Sequence, residues 1–439
     1  MNKLVRGLSL SQATSLNMID MVGIGPFVTM PFIIQTMGGP QCILAWLLGA
    51  FLSFMDAFVW AELGAKWPQA GGSYVFLQKL FGKKHGRLMS FLFVWQTSIQ
   101  APLVVASGAI GFAQYLSFLI PLTPIEQKIV SGTLVIFLVV LLYRNIQSIG
   151  KLSVVMWAVV ASTILWIIIS AFTHFDVKMA FTYPDNAFDL TPLFFVALGQ
   201  ASIKSIYSYL GYYNVCHLGA EIINPERNIP KSIFISIAGI AALYISMQIG
   251  ILGVIPWQEA QHSEFIISTF FDKLYGHATA QIATALILFI AMSSLFAVML
   301  GYSRVPYAAA KDGNFFKVFA KLHPSKHFPY ISLLALGGLA FCFSLLFKLK
   351  DIITAIIIMR ILVQFISQSA GLIALHYKSK TLRLPYKMPL FPIPAILGIA
   401  VWLFVFFSSS LPYILGALSI ILIGCFLFYF KEKTKAIDN

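Results

Sequence analysis

The sequence has few charged residues for its length. Only 10% of its 439 residues are Asp, Glu, Lys or Arg, against about 25% in an ordinary soluble domain. Hydrophobic residues make up 59% of the chain. This shortage of charge excludes a water-soluble globule and predicts a helical protein that crosses a membrane many times and has short loops.

Clusters of metal-binding or catalytic residues are also lacking. The cysteines Cys42, Cys216, Cys342 and Cys425 lie far apart in apolar stretches and form no Cys-x-x-Cys pair. The chain contains no His-Glu-x-x-His and no Gly-x-Ser-x-Gly, and of its histidines only His217 lies well inside an apolar run. We therefore predict no metal site, no cofactor and no enzymatic activity. A membrane-embedded enzyme or a sensor is the alternative from another functional class.

Long apolar runs, in contrast, are abundant. Each is long enough to cross a hydrocarbon core of about 30 Å as a helix. They lie at residues 10–36, 41–66, 87–119, 127–143, 152–173, 192–222, 233–255, 279–310, 329–347, 352–377, 391–409 and 411–430. Twelve crossings would place both termini on the same side of the membrane.

Basic residues are distributed unevenly over the connecting loops. Of the 30 Lys and Arg residues, five fall in loops assigned to the outside, three fall within the runs, and 22 lie on the side of the N-terminus. Cytoplasmic loops carry the excess of Lys and Arg in membrane proteins. We therefore predict a multi-pass protein of the cytoplasmic (plasma) membrane with both termini in the cytoplasm. Topology accounts for the net charge of +14, and nucleic acid is not predicted as a partner. The five outer residues are Lys128, Lys178, Lys273, Lys348 and Lys350.

Two of the runs contain sequences that break helices. In the first run, Gly23, Gly25 and Pro26 fall within four residues. The sixth run, residues 192–222, would be about 46 Å long as a straight helix, and it carries Gly211 in its middle. Broken backbone at membrane depth is tolerated where it lines a cavity or is buried in protein. The two breaks lie five helices apart, which predicts inverted repeats with a binding site at their interface.

Five blocks of sequence resemble the amino acid–polyamine–organocation (APC) superfamily, close to its L-type amino acid transporter and permease branches. The blocks are Gly23-Ile24-Gly25-Pro26-Phe27, Ala61-Glu62-Leu63-Gly64 with Gly71-Gly72-Ser73-Tyr74, Tyr207-Ser208-Tyr209-Leu210-Gly211 through Glu221 to Pro230, Ser303-Arg304 with Ala310-Lys311-Asp312-Gly313, and Arg383-Leu384-Pro385-Tyr386-Lys387-Met388-Pro389. The resemblance implies the LeuT-type fold, an all-α membrane protein of about twelve transmembrane helices in which helices 1 and 6 are broken. It divides the chain into a first five-helix repeat (1–173), an inverted second repeat (192–377), helices 11 and 12 (391–430) and a cytoplasmic tail (431–439).

By this resemblance, the substrate binds between the two breaks. N–H groups at the start of one half-helix would bind the carboxylate of an amino acid, and C=O groups at the end of another would bind its ammonium. The carboxylate would meet Ile24, Gly25 and Phe27, and the ammonium would meet Met21, Val22 and residues 207–210. The family's gate position, an aromatic ring that covers the substrate, is Tyr207. The full set of predicted binding residues is Met21, Val22, Gly23, Ile24, Gly25, Phe27, Tyr207, Ser208, Tyr209, Leu210 and Gly211.

The sequence departs from the family at three positions. Ile24 replaces the family's serine. Pro26 replaces its isoleucine and has no N–H, so one of the usual carboxylate donors is missing. Many relatives carry a lysine inside helix 5 that stands in for a sodium ion, and alignment of Gly150-Lys151 places Val160 at that position. Proton coupling through that lysine is therefore not assumed.

Ionisable residues within the runs are few, and each is a functional hypothesis. Asp20 is the candidate for energy coupling, either as a proton carrier or as part of a cation site; the alternative is a packing partner for serine or backbone groups. Glu62 and Glu221, near the inner ends of helices 2 and 6, are predicted to be structural or inner-gate residues. The roles of Lys204 and Arg360 are left open.

The predicted function is that of a secondary active transporter, a permease that moves amino acids by alternating access. The stretches expected to face the site, which include residues 95–100 in helix 3 and 292–296 in helix 8, contain no acid. Neutral L-amino acids are therefore predicted as substrates. Cationic amino acids or polyamines are the alternative within the same fold. The predicted partners are the amino acid, the lipid bilayer, and a co-transported proton or sodium ion or a counter-substrate.

Overall fold

The computed structural model describes residues 4–347, 349–378 and 384–437, without the side chains of residues 83–84, 349–352 and 431–437. Of the basic residues counted by sequence, Lys3, Lys348, Lys380 and Arg383 lie outside the described residues.

The described chain is helical and contains no strand beyond two isolated bridges. Three 3-10 turns (40–42, 219–221 and 317–320) and one π-helical segment (361–366) interrupt or connect the α-helices. The α-helices are α1 (Leu10–Met21), α2 (Gly25–Met37), α3 (Ile43–Lys66), α4 (Ser73–Leu80), α5 (Gly82–Leu116), α6 (Pro124–Leu142), α7 (Ile146–Thr173), α8 (Val177–Ala180), α9 (Pro192–Tyr209), α10 (Asn214–His217), α11 (Pro225–Leu252), α12 (Trp257–Ala260), α13 (Ile266–Tyr275), α14 (His277–Tyr302), α15 (Arg304–Lys311), α16 (Tyr330–Leu346), α17 (Leu349–Arg360), α18 (Ser367–Lys378), α19 (Ile393–Ser408) and α20 (Leu411–Ile437).

Many of these helices can cross a membrane by length and composition. Among the described residues, eight spans are long and apolar enough, and the bent pair α1 and α2 adds a ninth. The helices α16 and α19 are apolar but shorter, and α9 with α10 occupies the predicted sixth run. The all-helical membrane class is thus confirmed, while the count of twelve, the repeat boundaries and the orientation of the termini stay predictions.

The outer surface of the bundle is apolar. Val140 on α6, Phe407 on α19 and Leu422 on α20 each expose at least 66% of their surface. A soluble monomer rarely exposes large apolar patches, whereas hydrocarbon chains accommodate them. The last helix continues through Ile437, so that most of the predicted tail at 431–439 extends α20.

Helix packing brings the two predicted breaks to the centre of the molecule. The first half of the broken first run, α1, packs on α7, α11 and α14, and the second half, α2, packs on α9. Behind them, α3 packs on α9 and α11, and α5 packs on α14. The broken segments are therefore surrounded by protein, as non-helical backbone at membrane depth requires.

Candidate functional site

The first run is broken where its glycines and proline predict. The helix α1 ends at Met21, and α2 begins at Gly25 after a bend of 43°. Pro26 lies in the first turn of α2, where its missing N–H costs no intrahelical hydrogen bond. Because Pro26 cannot donate, Gly25 and Phe27 supply the N–H groups of this turn that have no intrahelical acceptor.

The sixth run is broken at Gly211. The helix α9 ends at Tyr209, Leu210 has extended backbone (φ −62°, ψ 146°), and α10 begins only at Asn214. Gly211 has φ +126°, a conformation that other residues rarely adopt. The sixth run is thus two helices joined by an unwound stretch, as predicted.

The two breaks lie directly against each other at Gly211. A Cβ atom built on Gly211 would lie 2.8 Å from the backbone nitrogen of Met21 and 2.9 Å from the carbonyl carbon of Asp20. These are backbone atoms, which cannot rotate away. Gly211 therefore allows a contact between the breaks that no larger residue permits.

A cavity of about 60 Å³ lies between the breaks. The helices α5, α14 and α17 complete its wall. Asp20, the coupling candidate, lines it as well and is partly exposed to it. Eight of the eleven predicted binding residues line this cavity: Met21, Gly23, Ile24, Gly25, Tyr207, Ser208, Leu210 and Gly211.

The other three predicted binding residues lie outside the cavity wall. Val22 and Phe27 are fully buried in the surrounding core. The Tyr209 ring packs edge-on against Trp46 with a centroid distance of 6.0 Å and at a tilt against Tyr244 at 5.4 Å. Their side chains hold the breaks in place from behind. The sequence pattern did not separate these positions from their cavity-lining neighbours because all lie in or next to the same two breaks.

The carbonyl groups at the end of α1 already have donors. The Tyr244 hydroxyl donates to the Met21 carbonyl at 2.8 Å, and the Gly23 N–H donates to it at 3.2 Å. The Ser294 hydroxyl donates to the Asp20 carbonyl at 3.1 Å. The Met21 carbonyl, which was predicted to meet the substrate ammonium, is therefore occupied by two donors. The side-chain carboxylate of Asp20 is the acidic acceptor that lines the cavity.

Tyr207 closes one side of the cavity. Its ring lies 3.2 Å from the position that a Cβ on Gly25 would take, so it covers the start of α2. Its hydroxyl is 3.0 Å from the hydroxyl of Ser107 on α5. This geometry is compatible with the predicted gate, in which the ring shields the substrate and the hydrogen bond ties the ring to a neighbouring helix.

Replacing Tyr207 with phenylalanine is expected to reduce uptake by less than about tenfold, because the ring stays and one hydrogen bond of about 1 kcal/mol is lost. Alanine removes the ring as well and should reduce uptake more than phenylalanine does. Initial uptake rates in proteoliposomes measure both variants. Equal uptake by Tyr207→Ala and the unmodified protein would contradict the role of the ring.

The cavity wall also includes residues that were not predicted to face it. Tyr213 follows the second break, Tyr302 ends α14, and Arg360 ends α17. In helix 3 the lining residues are Val104 and Gly108. They lie one to two turns after the predicted stretch at residues 95–100, where Trp95 instead donates to the Ile420 carbonyl of α20 at 3.0 Å.

The predicted helix 8 stretch matches the observed cavity lining better than the helix 3 stretch does. Ser294 and Leu295 of the predicted stretch at 292–296 line the cavity, and Ala291 and Val298 extend the lining along the same helix. Ser294 also lies close to the first break, at 2.6 Å from the position of a Cβ on Gly23.

Arg360 is buried and held in one orientation. Its Nε donates to Oε1 of Gln364, and its Nη1 donates to the hydroxyl of Tyr213, both at 2.6 Å. The guanidinium lies over the rings of Tyr213, Tyr302 and Phe365, at 5.0, 5.7 and 5.3 Å from their centroids. Only 3% of the residue is exposed. No carboxylate of a described residue lies within 4.0 Å of it.

The other intramembrane basic residue is not part of the cavity wall. The Lys204 ammonium donates to Oγ1 of Thr36 at 2.5 Å and to the Phe32 carbonyl at 3.5 Å. These contacts tie α9 to α2. At the helix 5 position where many relatives carry lysine, Val160 is fully buried in α7, whereas Lys151 is exposed at the start of that helix.

Glu62 and Glu221 both have partners away from the cavity. Oε2 of Glu62 accepts a hydrogen bond from the N–H of Met388 at 2.6 Å, and Oε1 contacts the His376 ring. Glu221 forms a bidentate ion pair with Arg304, and both N–O distances are 2.9 Å. These contacts fit the predicted structural or inner-gate roles.

Comparison with known proteins agrees with this arrangement. A family model described as amino acid permease matches residues 8–430. The amino acid permease YecA of Bacillus subtilis is 25% identical over 337 residues, which cover 76% of each chain. The human cystine/glutamate transporter is 26% identical over 410 residues, covering 90% of this chain and 78% of its own. The serine/threonine exchanger SteT of B. subtilis is 25% identical over 451 residues, which cover 99% of both chains.

The family and these relatives are permeases and transporters rather than enzymes. The matched region includes both breaks and every residue of the cavity wall. With its many apolar helices, the chain is a multi-pass membrane protein. It belongs to the amino acid permease family of the APC superfamily.

Proposed function

We propose that this protein is a secondary transporter of neutral L-amino acids in the cytoplasmic membrane and that it works by alternating access. The observation that carries the proposal is that one acidic and one basic side chain line the cavity between the breaks. Asp20 and Arg360 line that cavity together, and their formal charges cancel. A zwitterion with an uncharged side chain adds no net charge to this site.

The size of the cavity supports a small substrate in this conformation. A cavity of about 60 Å³ provides the space of roughly four to six waters at about 10–15 Å³ each. The smaller amino acids approach this size, and larger ones require outward movement of the wall. Tyr207 and the helix breaks are the parts of the wall that a rocking movement of the repeats would displace.

Cationic amino acids and polyamines, the alternative within the same fold, fit this wall less well. Their additional positive charge would enter a cavity that already contains Arg360. Like charges held at close range in a medium of low dielectric repel strongly. Asp20 provides one acidic partner, and the substrate's α-ammonium already requires it.

The test is uptake into proteoliposomes from a panel of amino acids, with a pH gradient, a sodium gradient or internal substrate imposed in turn. We expect uptake of alanine, serine or leucine. Lysine and putrescine should compete with this uptake at least about tenfold less well than neutral amino acids do. Strong uptake of lysine or putrescine without competition from neutral amino acids would refute the proposal.

We further propose that Asp20 couples transport to a cation, most simply to a proton. Its carboxylate lines the cavity, and the other ionisable groups of the wall are Arg360, Tyr207, Tyr213 and Tyr302. A carboxylate that accepts the substrate ammonium from one side of the membrane must release it on the other. Protonation of the carboxylate removes this attraction, which would link substrate movement to proton movement.

Replacing Asp20 with asparagine is therefore expected to reduce uptake at least about tenfold and to remove its dependence on an imposed pH gradient. Exchange of internal for external substrate should be impaired less than gradient-driven uptake. Glu126→Gln is the matched control, because Glu126 is an acid in the first turn of α6 and is exposed. Unchanged rate and unchanged pH dependence of Asp20→Asn would rule out the coupling role.

A further inference from the structure

The guanidinium of Arg360 retains an unused donor inside the protein. Nε and Nη1 have acceptors, but Nη2 is buried without a hydrogen-bond partner among the described residues. A buried donor without an acceptor costs the full desolvation of that group, and more when the group is charged. An arginine left in this state inside a membrane protein is expected to have a ligand.

The donor set beside Arg360 contains a second unused group. Gln364 accepts from Nε of Arg360 through its Oε1, and its own Nε2 is likewise buried without a partner among the residues that the structure describes. Both residues lie in one continuous stretch of helix, because Arg360 directly precedes the π-helical segment that contains Gln364. Such π-helical turns occur frequently at functional sites because they redirect side chains. Two unused N–H donors, one of them cationic, suit an anionic oxygen ligand.

The first break is short of donors for the substrate carboxylate. Pro26 has no N–H, and Ile24 has no hydroxyl. Of the remaining residues of this turn with an unused N–H, Gly25 lines the cavity, whereas a carboxylate can accept about four hydrogen bonds. Gly25 and Arg360 line the same cavity. A carboxylate bound there can therefore accept from the helix start and from the guanidinium.

We propose that Arg360 binds a carboxylate group of the substrate through Nη2. This inference rests on the proposed function, since it assigns a specificity-determining residue to the same cavity. The planar guanidinium, held by Tyr213 and Gln364, presents this donor in a fixed direction, which a lysine ammonium would not do. The carboxylate is the α-carboxylate that every amino acid carries. The backbone of the first break alone thus supplies only part of the recognition of this carboxylate, and Arg360 provides the rest.

The test compares purified protein with the variants Arg360→Gln and Arg360→Lys by ligand-induced thermal stabilisation and by competition for uptake. The probes are alanine and alaninamide, which differ in the α-carboxylate, and glutamate and glutamine, which differ in the side-chain carboxylate. Lys151→Gln is the control, because it removes one positive charge at an exposed position at the start of α7. It should leave the discrimination within both probe pairs unchanged.

If Arg360 binds the α-carboxylate, alanine loses at least about tenfold in affinity in Arg360→Gln, while the affinity for alaninamide stays the same. Loss of only the preference for glutamate over glutamine, with the affinity for alanine unchanged, would contradict binding of the α-carboxylate. Arg360→Lys should keep part of the discrimination, because the charge remains without the planar geometry. It also serves as the second variant should Arg360→Gln not fold.

The proposal is also overturned if the folded Arg360→Gln and Arg360→Lys variants both discriminate between alanine and alaninamide as the unmodified protein does. This outcome differs from failure of the proposed function. If the proposed function fails, the unmodified protein itself will neither bind nor transport any amino acid of the panel.

Discussion

Transport should be lost when Gly211 is replaced by alanine. The added methyl group would lie 2.8 Å from the backbone nitrogen of Met21 and 2.9 Å from the carbonyl carbon of Asp20, distances that real Cβ atoms do not adopt. The positive φ of +126° adds backbone strain of about 1–3 kcal/mol for a residue with a side chain. Because the two breaks can relieve the contact only by moving apart, the cavity between them would change shape. Uptake is expected to fall by more than about tenfold, since about 1.4 kcal/mol corresponds to one factor of ten.

The matched control for this substitution is Gly276→Ala. Gly276 also has a positive φ, +84°, but a Cβ atom there meets no atom within 4 Å. It therefore carries the backbone strain without the contact. Initial uptake rates and thermal melting of both variants in detergent separate loss of transport from loss of folding. Gly211→Ala protein with uptake equal to that of Gly276→Ala would show that close contact between the breaks is unnecessary.

Breaking the ion pair between Glu221 and Arg304 should destabilise the protein far more than neutralising an exposed charge does. Both side chains are about 98–99% buried, and the guanidinium bonds both carboxylate oxygens at 2.9 Å. Removing one partner of a buried pair leaves an uncompensated charge and typically costs about 3–5 kcal/mol. The single variants Glu221→Gln and Arg304→Gln are each expected to lower the melting temperature strongly.

The pair of Glu221 and Arg304 lies near the ends of the sixth and eighth runs. Glu221 lies at the end of the sixth run, and its backbone carbonyl accepts from the N–H groups of Gly7 and Leu8 at 2.9 and 3.0 Å. Arg304 begins α15 directly after α14. The pair therefore joins the segment before α1, the end of the sixth run and the end of the eighth. If one of these three segments moves during transport, it must either break its contacts with the other two or move together with them.

The double variant Glu221→Gln with Arg304→Gln tests this interpretation. Replacing both charges leaves no buried unpaired ion, so it should recover most of the stability lost in either single variant. The control is Glu259→Gln, because the ion pair between Glu259 and Lys273 has a similar closest distance of 3.0 Å but is roughly half exposed. Exposed pairs contribute about 0–1 kcal/mol, so this variant should melt nearly normally. Equal destabilisation by Glu221→Gln and Glu259→Gln would contradict a special role for the buried pair.

Much of the fold could be predicted because the signals are local. Apolar runs of membrane-spanning length identify most of the helices, and composition alone excludes a soluble globule. The breaks were also predictable, because Gly23, Pro26 and Gly211 disfavour helix wherever they occur. The motifs that flank the breaks identified the family, which the match over residues 8–430 then confirmed.

The helical details that escaped prediction depend on weaker signals. The short helices α4 and α13 lie between spans, in segments without a long apolar run. The π-helical turn after Arg360 has no recognisable sequence pattern, since it arises from one extra residue accommodated in a helix that packs on several neighbours.

The composition of the cavity wall was predictable only where the backbone itself forms it. Eight residues in and next to the two breaks line the cavity as expected. Arg360, Tyr213 and Tyr302 were missed, and the contribution of α5 was placed one to two turns too early. A helix in a membrane is apolar on all sides, so its sequence lacks the polar and apolar faces that reveal the buried side of a soluble helix.

The sequence by itself determined the membrane class, the approximate positions of the helices, the two breaks and the family. Each of these depends on residues that are close together in the chain. Only the tertiary structure decided that Gly211 touches Asp20 and Met21, that Glu221 pairs with Arg304, and that Arg360 faces the same cavity as Asp20. The residues brought together in this way lie 83 to 340 positions apart, and their proximity depends on how each helix is rotated and packed. The charge and donors available to a substrate are therefore a property of the assembled bundle.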